Sequence, residues 1–310
     1  MKNKCYRCYL PLNKGDVTYH ARCAKSFFGT TIVPIFDFNE GKIMELATEQ
    51  INKRLTIPGV QKKLSVGFDK TDNKRLTIVG YLGGEYILKP QSKDYPFMVE
   101  NEDLTMNLAG ILNLQTAENI LMPFGNEVAY VVKRFDRVKN TKIACEDLCQ
   151  LSNKLTEQKY RSSYEQIGKI IRKYSSIPGD DVLRFFELVL FSFITGNSDM
   201  HLKNFMLMTE NEVKLSPAYD LLSTRLLIPE HLDREELALP VNGKKHNINR
   251  KDFLVLASSL EIPEKVATST LDYFIQSLPE LSKLINISFL SKVKQGEYLD
   301  IVRGRLERLF

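Results

Sequence analysis

The segment running from Phe185 to Asn204 limits the possible folds of this chain more than any other. Phe185 to Gly196 is almost wholly apolar, with Glu187 its only charge. A helix that is hydrophobic on every side has to sit inside a packed body. It is also too short for the roughly 20 apolar residues of a bilayer span. Directly after it comes Gly196–Asn204, reading G-N-S-D-M-H-L-K-N. Polar side chains set beside a buried helix cost free energy unless each one finds a partner. Asn197 as a helix cap would account for one of them. The others imply that something binds there. Of the 310 residues 43% are hydrophobic and 26% charged, an ordinary globular balance that excludes wholesale disorder, collagen-like repeats and a coiled-coil rod. The length favours two domains or one bilobal enzyme.

Three of the five cysteines lie in the first 23 residues with one of only four histidines. Cys5, Cys8, His20 and Cys23 form C-x2-C-x11-H-x2-C, two close ligand pairs joined by a short loop, which is zinc-knuckle spacing. All four ligands would be protein groups, so the expected zinc is structural and holds the N-terminal segment folded. Cys145 and Cys149 are spaced one helical turn apart and read as half-buried positions on a helix. Residues Met1–Cys5 lack the apolar core of a signal peptide, so the sequence reads as cytoplasmic. The net charge of +5 is compatible with a nucleotide or nucleic acid and demands neither.

Along the chain, 1–29 reads as the zinc-knuckle-like segment, 30–136 as a β-rich N-lobe and 137–310 as a helical C-lobe. In the N-lobe an extended Thr30–Phe38 and a short helix at 39–52 precede strands at Lys63–Phe68, Leu76–Gly80 and Glu85–Leu88. Turn residues separate those strands, and the period predicts a meandering antiparallel sheet. A helix at Asn101–Asn113 and a strand pair near Ala117–Met122 and Val128–Phe135 follow. Helices are predicted at Cys145–Ser152, Ser163–Tyr174, Val182–Thr195, Lys251–Leu260, Lys265–Ser277 and Glu297–Phe310. One hairpin interrupts them, Phe205–Met208 with Val213–Leu215. The fold class is α+β, two-lobed.

The chemistry follows from spacing. Asp199 and Asn204 are five apart, as the catalytic aspartate and metal-binding asparagine are in a kinase catalytic loop. The carboxylate can accept a hydroxyl proton and the amide oxygen can hold magnesium. The hairpin then delivers Ser216-Pro217-Ala218-Tyr219-Asp220, with Asp220 where a kinase places its principal magnesium ligand. One carboxylate and one amide suffice, because magnesium keeps water and phosphate as its other ligands. Tyr86-Ile87-Leu88-Lys89-Pro90 ends an apolar strand in Lys89, the candidate phosphate clamp, with Glu102 as its expected ion-pair partner and Glu100 as the rival. Pro58, Gly59, Val60, Gln61, Lys62 and Lys63 enter the first strand with one glycine where a G-x-G-x-x-G loop has three. A phosphate contact there would use backbone N–H groups plus Lys63 or Lys62. Lys133, Arg134 and Phe135 stand where a hinge would meet adenine; Arg134, Asp136 and Arg137 read equally as a surface ion-pair cluster.

The set G-V-Q-K-K-L-S, Y-I-L-K-P, N-E-D-L-T-M, K-R-F-D-R, E-D-L-C-Q, G-N-S-D-M-H-L-K-N and S-P-A-Y-D-L-L-S resembles the HipA family of bacterial serine/threonine kinase toxins. The motifs are co-linear from about Leu55 to Thr224. The chain is most similar to the short HipT form, with the knuckle in place of the N-terminal β-rich subdomain. The resemblance implies a bilobal protein-kinase-like (HipA-like) fold, Asp199 as catalytic residue, Asn204 and Asp220 as magnesium ligands and Lys89 as phosphate clamp. It also implies nucleotide contacts from Pro58–Lys63, Lys133–Phe135, His201, Leu202, Lys203, Asn204 and Tyr219. Thr56 aligns with an autophosphorylated serine of the family. The implied cofactors are ATP and magnesium beside the structural zinc. The implied partners are a protein substrate of the translation machinery such as an aminoacyl-tRNA synthetase, a HipB-like antitoxin and a small HipS-like protein. DNA would be met only through the antitoxin, and no membrane. Two rival readings are a lipid or small-molecule kinase, since D-x-H is similar to phosphoinositide kinases, and a zinc-knuckle nucleic-acid binder with an inactive kinase lobe.

Overall fold

The strands of the described residues form a six-stranded, a three-stranded and a two-stranded sheet. The computed structural model describes residues 3–39, 41, 63–69, 74–79, 83–138 and 141–310. Most of the short helix expected at 39–52, Thr56 and the loop Pro58–Lys62 lie outside the described residues. Two units result: Met1–Asp103 with Ala117–Arg134 and Ile287–Phe289, and Leu104–Thr116 with Phe135–Asn286 and Leu290–Phe310.

The first unit holds helix α1 (Ala21–Phe28) and strands β1 (Ile35–Phe36), β2 (Leu64–Phe68), β3 (Arg75–Ile78) and β4 (Tyr86–Lys89). Helix α2 (Met98–Ile111) begins there, and β5 (Asn119–Phe124) and β6 (Glu127–Lys133) complete the sheet. The strand order is β1-β3-β2-β4-β6-β5, which corrects the expected meander. Strand β2 lies between β3 and β4, pairing Val66 with both Ile78 and Tyr86, and β1 joins β3 in parallel. The reason is burial. Four of the five residues of β2 are buried, so it takes an interior position, whereas β3 opens on an exposed Arg75. Gly84 (φ 80°) is forced here, because a Cβ would stand 2.5 Å from Ser65 Oγ and 2.7 Å from the Val66 carbonyl.

Residues 3–29 contribute to the core of this sheet. Cys5, Tyr19, Cys23, Phe27 and Phe28 share one apolar cluster with Leu64, Val66, Leu88, Ile120 and Met122. Each large buried side chain contributes about 1.5–3 kcal/mol, so the knuckle and the sheet stabilise each other. Helix α1 ends at Gly29, left-handed at φ 75°, whose N–H returns to the Lys25 carbonyl.

The second unit contains β7 (Arg137–Val138), β8 (Thr141–Lys142), β9 (Ala144–Asp147), α3 (Leu148–Leu151), α4 (Tyr164–Tyr174), α5 (Pro178–Ile194), β10 (Met206–Thr209) and β11 (Val213–Leu215). It closes with α6 (Arg250–Ser259), α7 (Glu264–Gln276), α8 (Leu278–Ile287) and α9 (Lys292–Glu307). The expected helix at Cys145–Ser152 is a strand followed by a single helical turn. Ala144–Asp147 pairs antiparallel with Met206–Thr209 as a third strand beside the hairpin. Asp147 then stops it by capping the turn, accepting from the Gln150 N–H at 2.8 Å. Cys145 and Cys149 therefore share no helical face; Cys149 donates to the Lys154 and Leu155 carbonyls.

Helix α5 is the buried axis that its sequence demands, and it starts at Pro178, ahead of the expected Val182. The acidic first turn hid that start. Asp181 is fully buried and accepts from the Leu215 N–H (2.7 Å), Ser175 Oγ (2.7 Å) and Arg184 (2.8 Å). One carboxylate thus ties the start of α5 to the end of the hairpin. Helix α8 was not expected, and α9 begins at Lys292 rather than Glu297, with Ser291 capping the Lys294 N–H. Among the described residues no helix is long and apolar enough to cross a membrane.

Candidate active site

Helix α5 stops because the chain turns left-handed at Gly196, φ 66°. A Cβ there would come within 2.8 Å of Arg225 Cβ, so the position needs glycine. The Gly196 carbonyl accepts from the Arg225 N–H and Thr224 Oγ1, each at 3.0 Å, and Thr224 Oγ1 takes the Ser198 N–H at 2.8 Å. Asn197 acts forward: its Oδ1 accepts from the Asp199 N–H at 3.1 Å. Met200 points into the core, and its carbonyl accepts from Tyr164 Oη at 2.9 Å. The loop that carries the polar side chains is therefore fixed from both sides.

Asp199 is 47% exposed, and its Oδ1 accepts from Tyr160 Oη at 2.5 Å with His201 Nε2 4.0 Å away. Burial pushes the Tyr160 phenol up, as does Asp199, so it remains a donor. His201 is buried, and that burial pushes its pKa below the ordinary value of 6.5 although Asp199 and Asp220 both pull it upward. The imidazole is thereby held neutral at pH 7, with both carboxylates close enough to act on it. Asn204 donates its Nδ2 to the Asp199 carbonyl at 3.0 Å, which leaves Oδ1 as its presenting end, the atom a hard divalent cation takes. Asp220 follows β11 in a left-handed conformation, φ 55°, costing roughly 1–2 kcal/mol for a residue with a Cβ. Strain of this kind concentrates at functional positions. Tyr219 donates to the Lys203 carbonyl at 2.8 Å and packs at a tilt against Phe135, 5.6 Å between ring centres, and Lys203 Nζ reaches Asp147 Oδ2 at 2.8 Å. Leu202 is buried in the 3-10 turn Leu202–Asn204. Within this loop two buried side-chain atoms, Asn197 Nδ2 and His201 Nδ1, have no hydrogen-bond partner. Each such atom costs about 1–3 kcal/mol, which fits a loop completed by a ligand.

In the first unit, Lys89 closes β4 with only 3% of its side chain exposed, and its Nζ is 2.5 Å from Oε1 of Glu102, itself 1% exposed. The ammonium also lies 5.4 Å from the Tyr130 ring centre. Glu100 accepts from Gln91 Nε2 instead. Lys133 makes an exposed ion pair with Glu118 at 3.8 Å, and its N–H goes to the Glu118 carbonyl. The Arg134 N–H goes to the Glu85 carbonyl, so both hinge amides are engaged within the sheet. Asp136 and Arg137 pair with each other. Lys63, half-buried, stands one residue before β2.

At the N-terminus, the ligand atoms of Cys5, Cys8, His20 and Cys23 all lie within 4.8 Å of one another. Four ligands about one zinc at Zn–S ≈ 2.3 Å would stand about 3.8 Å apart. His20 Nε2 lies 2.8 Å from the Pro11 carbonyl. Donation there leaves Nδ1 unprotonated, 3.3 Å from Cys8 Sγ and 3.8 Å from Cys23 Sγ. Burial, with Cys5 and Cys8 adding to it, pushes the Cys23 thiol up to about 12. At Cys5 burial also acts upward, but backbone N–H groups of Cys8, Arg7 and His20 overcome it and lower the thiol. The donor set suits a soft divalent cation, whose charge would remove the repulsion among the sulfurs.

Tyr160, Asp147 and Asp181 escaped the sequence reading. Tyr160 falls in an aperiodic stretch between helices, where nothing in its spacing points to Asp199. Asp147 lies in the E-D-L-C-Q motif and carried that signal unread. Asp181 looked like an ordinary first-turn acid.

Residues 55–281 match the family model of the HipA-like C-terminal domain. The chain belongs to this family. The matched range contains Lys89, Glu102, Asp199, Asn204 and Asp220, and leaves the four-ligand cluster outside. A protein of Sinorhizobium fredii named as a kinase, Y4dM, is 32% identical over 233 residues, 70% of this chain and 56% of that protein. The serine/threonine-protein kinase toxin HipA of Shewanella oneidensis is 26% identical over 256 residues, 73% of this chain and 56% of that one. The chain thus spans somewhat over half the length of these curated relatives. The solved complex of Shewanella oneidensis HipA, HipB and operator DNA contains a chain of the same fold: TM-score 0.71, 21% identity, 86% of this chain and 70% of that one covered. The HipA-like, kinase-like α+β fold is the architecture of this protein.

Proposed function

We propose that this protein is an ATP- and magnesium-dependent serine/threonine protein kinase of the HipA/HipT type. The observation that carries the reading is the loop Gly196–Asn204, in which the half-exposed Asp199 side chain is oriented by Tyr160 while Asn204 presents its amide oxygen five residues on. Asp199 orients the acceptor hydroxyl and takes its proton; Asn204 and Asp220 hold the metal; Lys89, positioned by Glu102, clamps the phosphates. Bound magnesium would neutralise charge on the transferring phosphate. The family resemblance assigns nucleotide contacts to His201, Leu202, Lys203 and Tyr219, and equally to Lys133–Phe135 and Pro58–Lys63. Catalysis of this type works by positioning and electrostatics. The biological role is that of a cytoplasmic toxin acting on a protein of the translation machinery, such as an aminoacyl-tRNA synthetase, restrained by a HipB-like antitoxin. This role rests on the kinship with the toxin HipA.

Incubating the purified protein with γ-labelled ATP and cell lysate is expected to label a discrete protein band, and Asp220→Ala is expected to abolish it. Label recovered in the lipid or small-molecule fraction would overturn the protein-kinase assignment. The knuckle is read as a structural zinc site. Elemental analysis of purified protein is expected to give about one zinc per chain, and Cys23→Ser far less. Wild-type protein without zinc would defeat that part.

A further inference from the structure

We propose that Tyr9, at the tip of the knuckle, is a positioning residue for the Lys89–Glu102 pair. It sets the roll of helix α2 and so delivers Glu102 to Lys89. The inference rests on the kinase and zinc readings above and extends them.

Helix α2 lacks the usual means of fixing its rotation. Every residue from Val99 to Met106 is buried, so no apolar stripe opposes a polar face to set its roll. Polar ties therefore add direction to the packing of Val99, Leu104 and Met106. Glu102 makes one with Lys89. Its neighbour Asp103 leaves the helix about 100° further round, is fully buried, and makes the second. Asp103 Oδ1 accepts from Asn119 Nδ2 at 2.7 Å, and Oδ2 accepts from Tyr9 Oη at 2.5 Å. Glu100 with Gln91 Nε2 at 2.8 Å and Thr105 with Tyr298 Oη at 2.7 Å tie other points of the helix; the Tyr9–Asp103 bond is the tie from the knuckle to the residue directly beside Glu102.

Tyr9 is fixed by the metal-binding turn. It follows Cys8 directly, is 1% exposed, and stands at φ 63°, a conformation costing roughly 1–2 kcal/mol outside glycine. The turn imposes it: the Tyr9 N–H donates to the Cys5 carbonyl and the Cys5 N–H to the Leu10 carbonyl, both at 2.9 Å, bringing the two thiols together. The ring packs edge-on against Phe289, 5.2 Å between centroids. The knuckle itself is registered on the sheet by Tyr19 Oη, which donates to the Leu121 carbonyl at 2.6 Å. Ligand geometry at Cys5 and Cys8 is thus transmitted through one phenol to the helix that carries Glu102.

Tyr9→Phe keeps the ring and removes only the hydroxyl, so the knuckle should retain its metal. The full-length wild type is compared with Tyr9→Phe, Glu102→Gln, the double variant and Lys89→Met. Zinc content, kcat, KM for ATP and amide exchange over residues 98–104 are measured. Tyr9→Phe is expected to bind zinc as wild type, to lose roughly 10-fold in kcat and to exchange faster in α2. The double variant is expected to be no slower than Glu102→Gln alone, because both act through one pair. Unchanged kcat with unchanged exchange in Tyr9→Phe, or additive losses in the double variant, would overturn the proposal. Wild-type transfer by Lys89→Met would instead remove the kinase reading, and the exchange data would still decide whether Tyr9 sets the helix.

Discussion

Asp199→Asn is expected to lower phosphoryl transfer about 10²- to 10⁴-fold, the range typical of removing a positioned general base, with the fold intact. The substitution retains an oxygen for Tyr160 Oη. It leaves untouched the backbone contacts of the loop, since His201 N–H and Asn204 Nδ2 both go to the Asp199 carbonyl rather than its side chain. The side chain is 47% exposed, so the stability change should stay within about 0.5 kcal/mol, as at ordinary surface positions. What is lost is the charge and the proton acceptor. KM for ATP should move little, because the groups assigned to metal and phosphate remain. Steady-state transfer with labelled ATP, alongside a melting curve, checks both halves. A variant as fast as wild type would show that Asp199 is no part of the chemistry.

Glu236→Gln is expected to destabilise the second unit by about 3–5 kcal/mol, the cost of stripping one partner from a buried ionic cluster. Glu236 is 7% exposed. Its carboxylate accepts from Arg308 Nη1 (2.5 Å), Arg308 Nη2 (3.0 Å) and the Ile248 N–H (3.0 Å), and Arg305 Nη1 stands 2.6 Å from Oε1. Both guanidinium groups also lie over the Phe193 ring, three residues before Gly196. The cluster therefore fixes α9 against the end of α5 from which the reactive loop departs. Burial alone would raise the pKa of Glu236, but the two arginines and the Ile248 N–H outweigh it and bring it below the ordinary 4.5. With a depressed folded-state pKa, the stabilisation is fully present above about 4.5 and fades as acid carries the pH down through the folded value. Denaturant titrations from pH 7 to pH 3 should show this loss in the wild type and a flatter profile in the variant. Equal stability of the two proteins at pH 7 would contradict the assignment.

The sequence made some features readable and hid others for identifiable reasons. The helical second half was readable because α4 and α6 open on the caps Ser163 and Asn249, α5 carries a long apolar run, and α7 buries Ala267, Leu271 and Phe274 at helical spacing. Asp199, Asn204 and Asp220 could be singled out because their separations along the chain are fixed by one loop and one hairpin. Local spacing also placed Cys5, Cys8, His20 and Cys23 together. Non-local pairing was not accessible. The insertion of β2 between β3 and β4, and the recruitment of Ala144–Asp147 as a third strand beside β10, depend on which edge is free once other strands have packed. Cys145–Ser152 mimics a helix because a strand and a capped turn succeed each other within one helical repeat. Tyr160 and Tyr9 act through a single phenolic oxygen on a distant segment, a relation that leaves no mark in periodicity.

The chain passes between its two units five times, at Asp103–Leu104, Thr116–Ala117, Arg134–Phe135, Asn286–Ile287 and Phe289–Leu290. Neither half is a cassette that recombination could transplant. A breakpoint anywhere from Leu104 to Phe289 strands pieces of both, and loss of the three residues Ile287–Phe289 would deprive the Cys5–Cys8 turn of the aromatic that Tyr6 and Tyr9 rest on. Any graft that is to carry one unit complete therefore has to bring residues of the other with it.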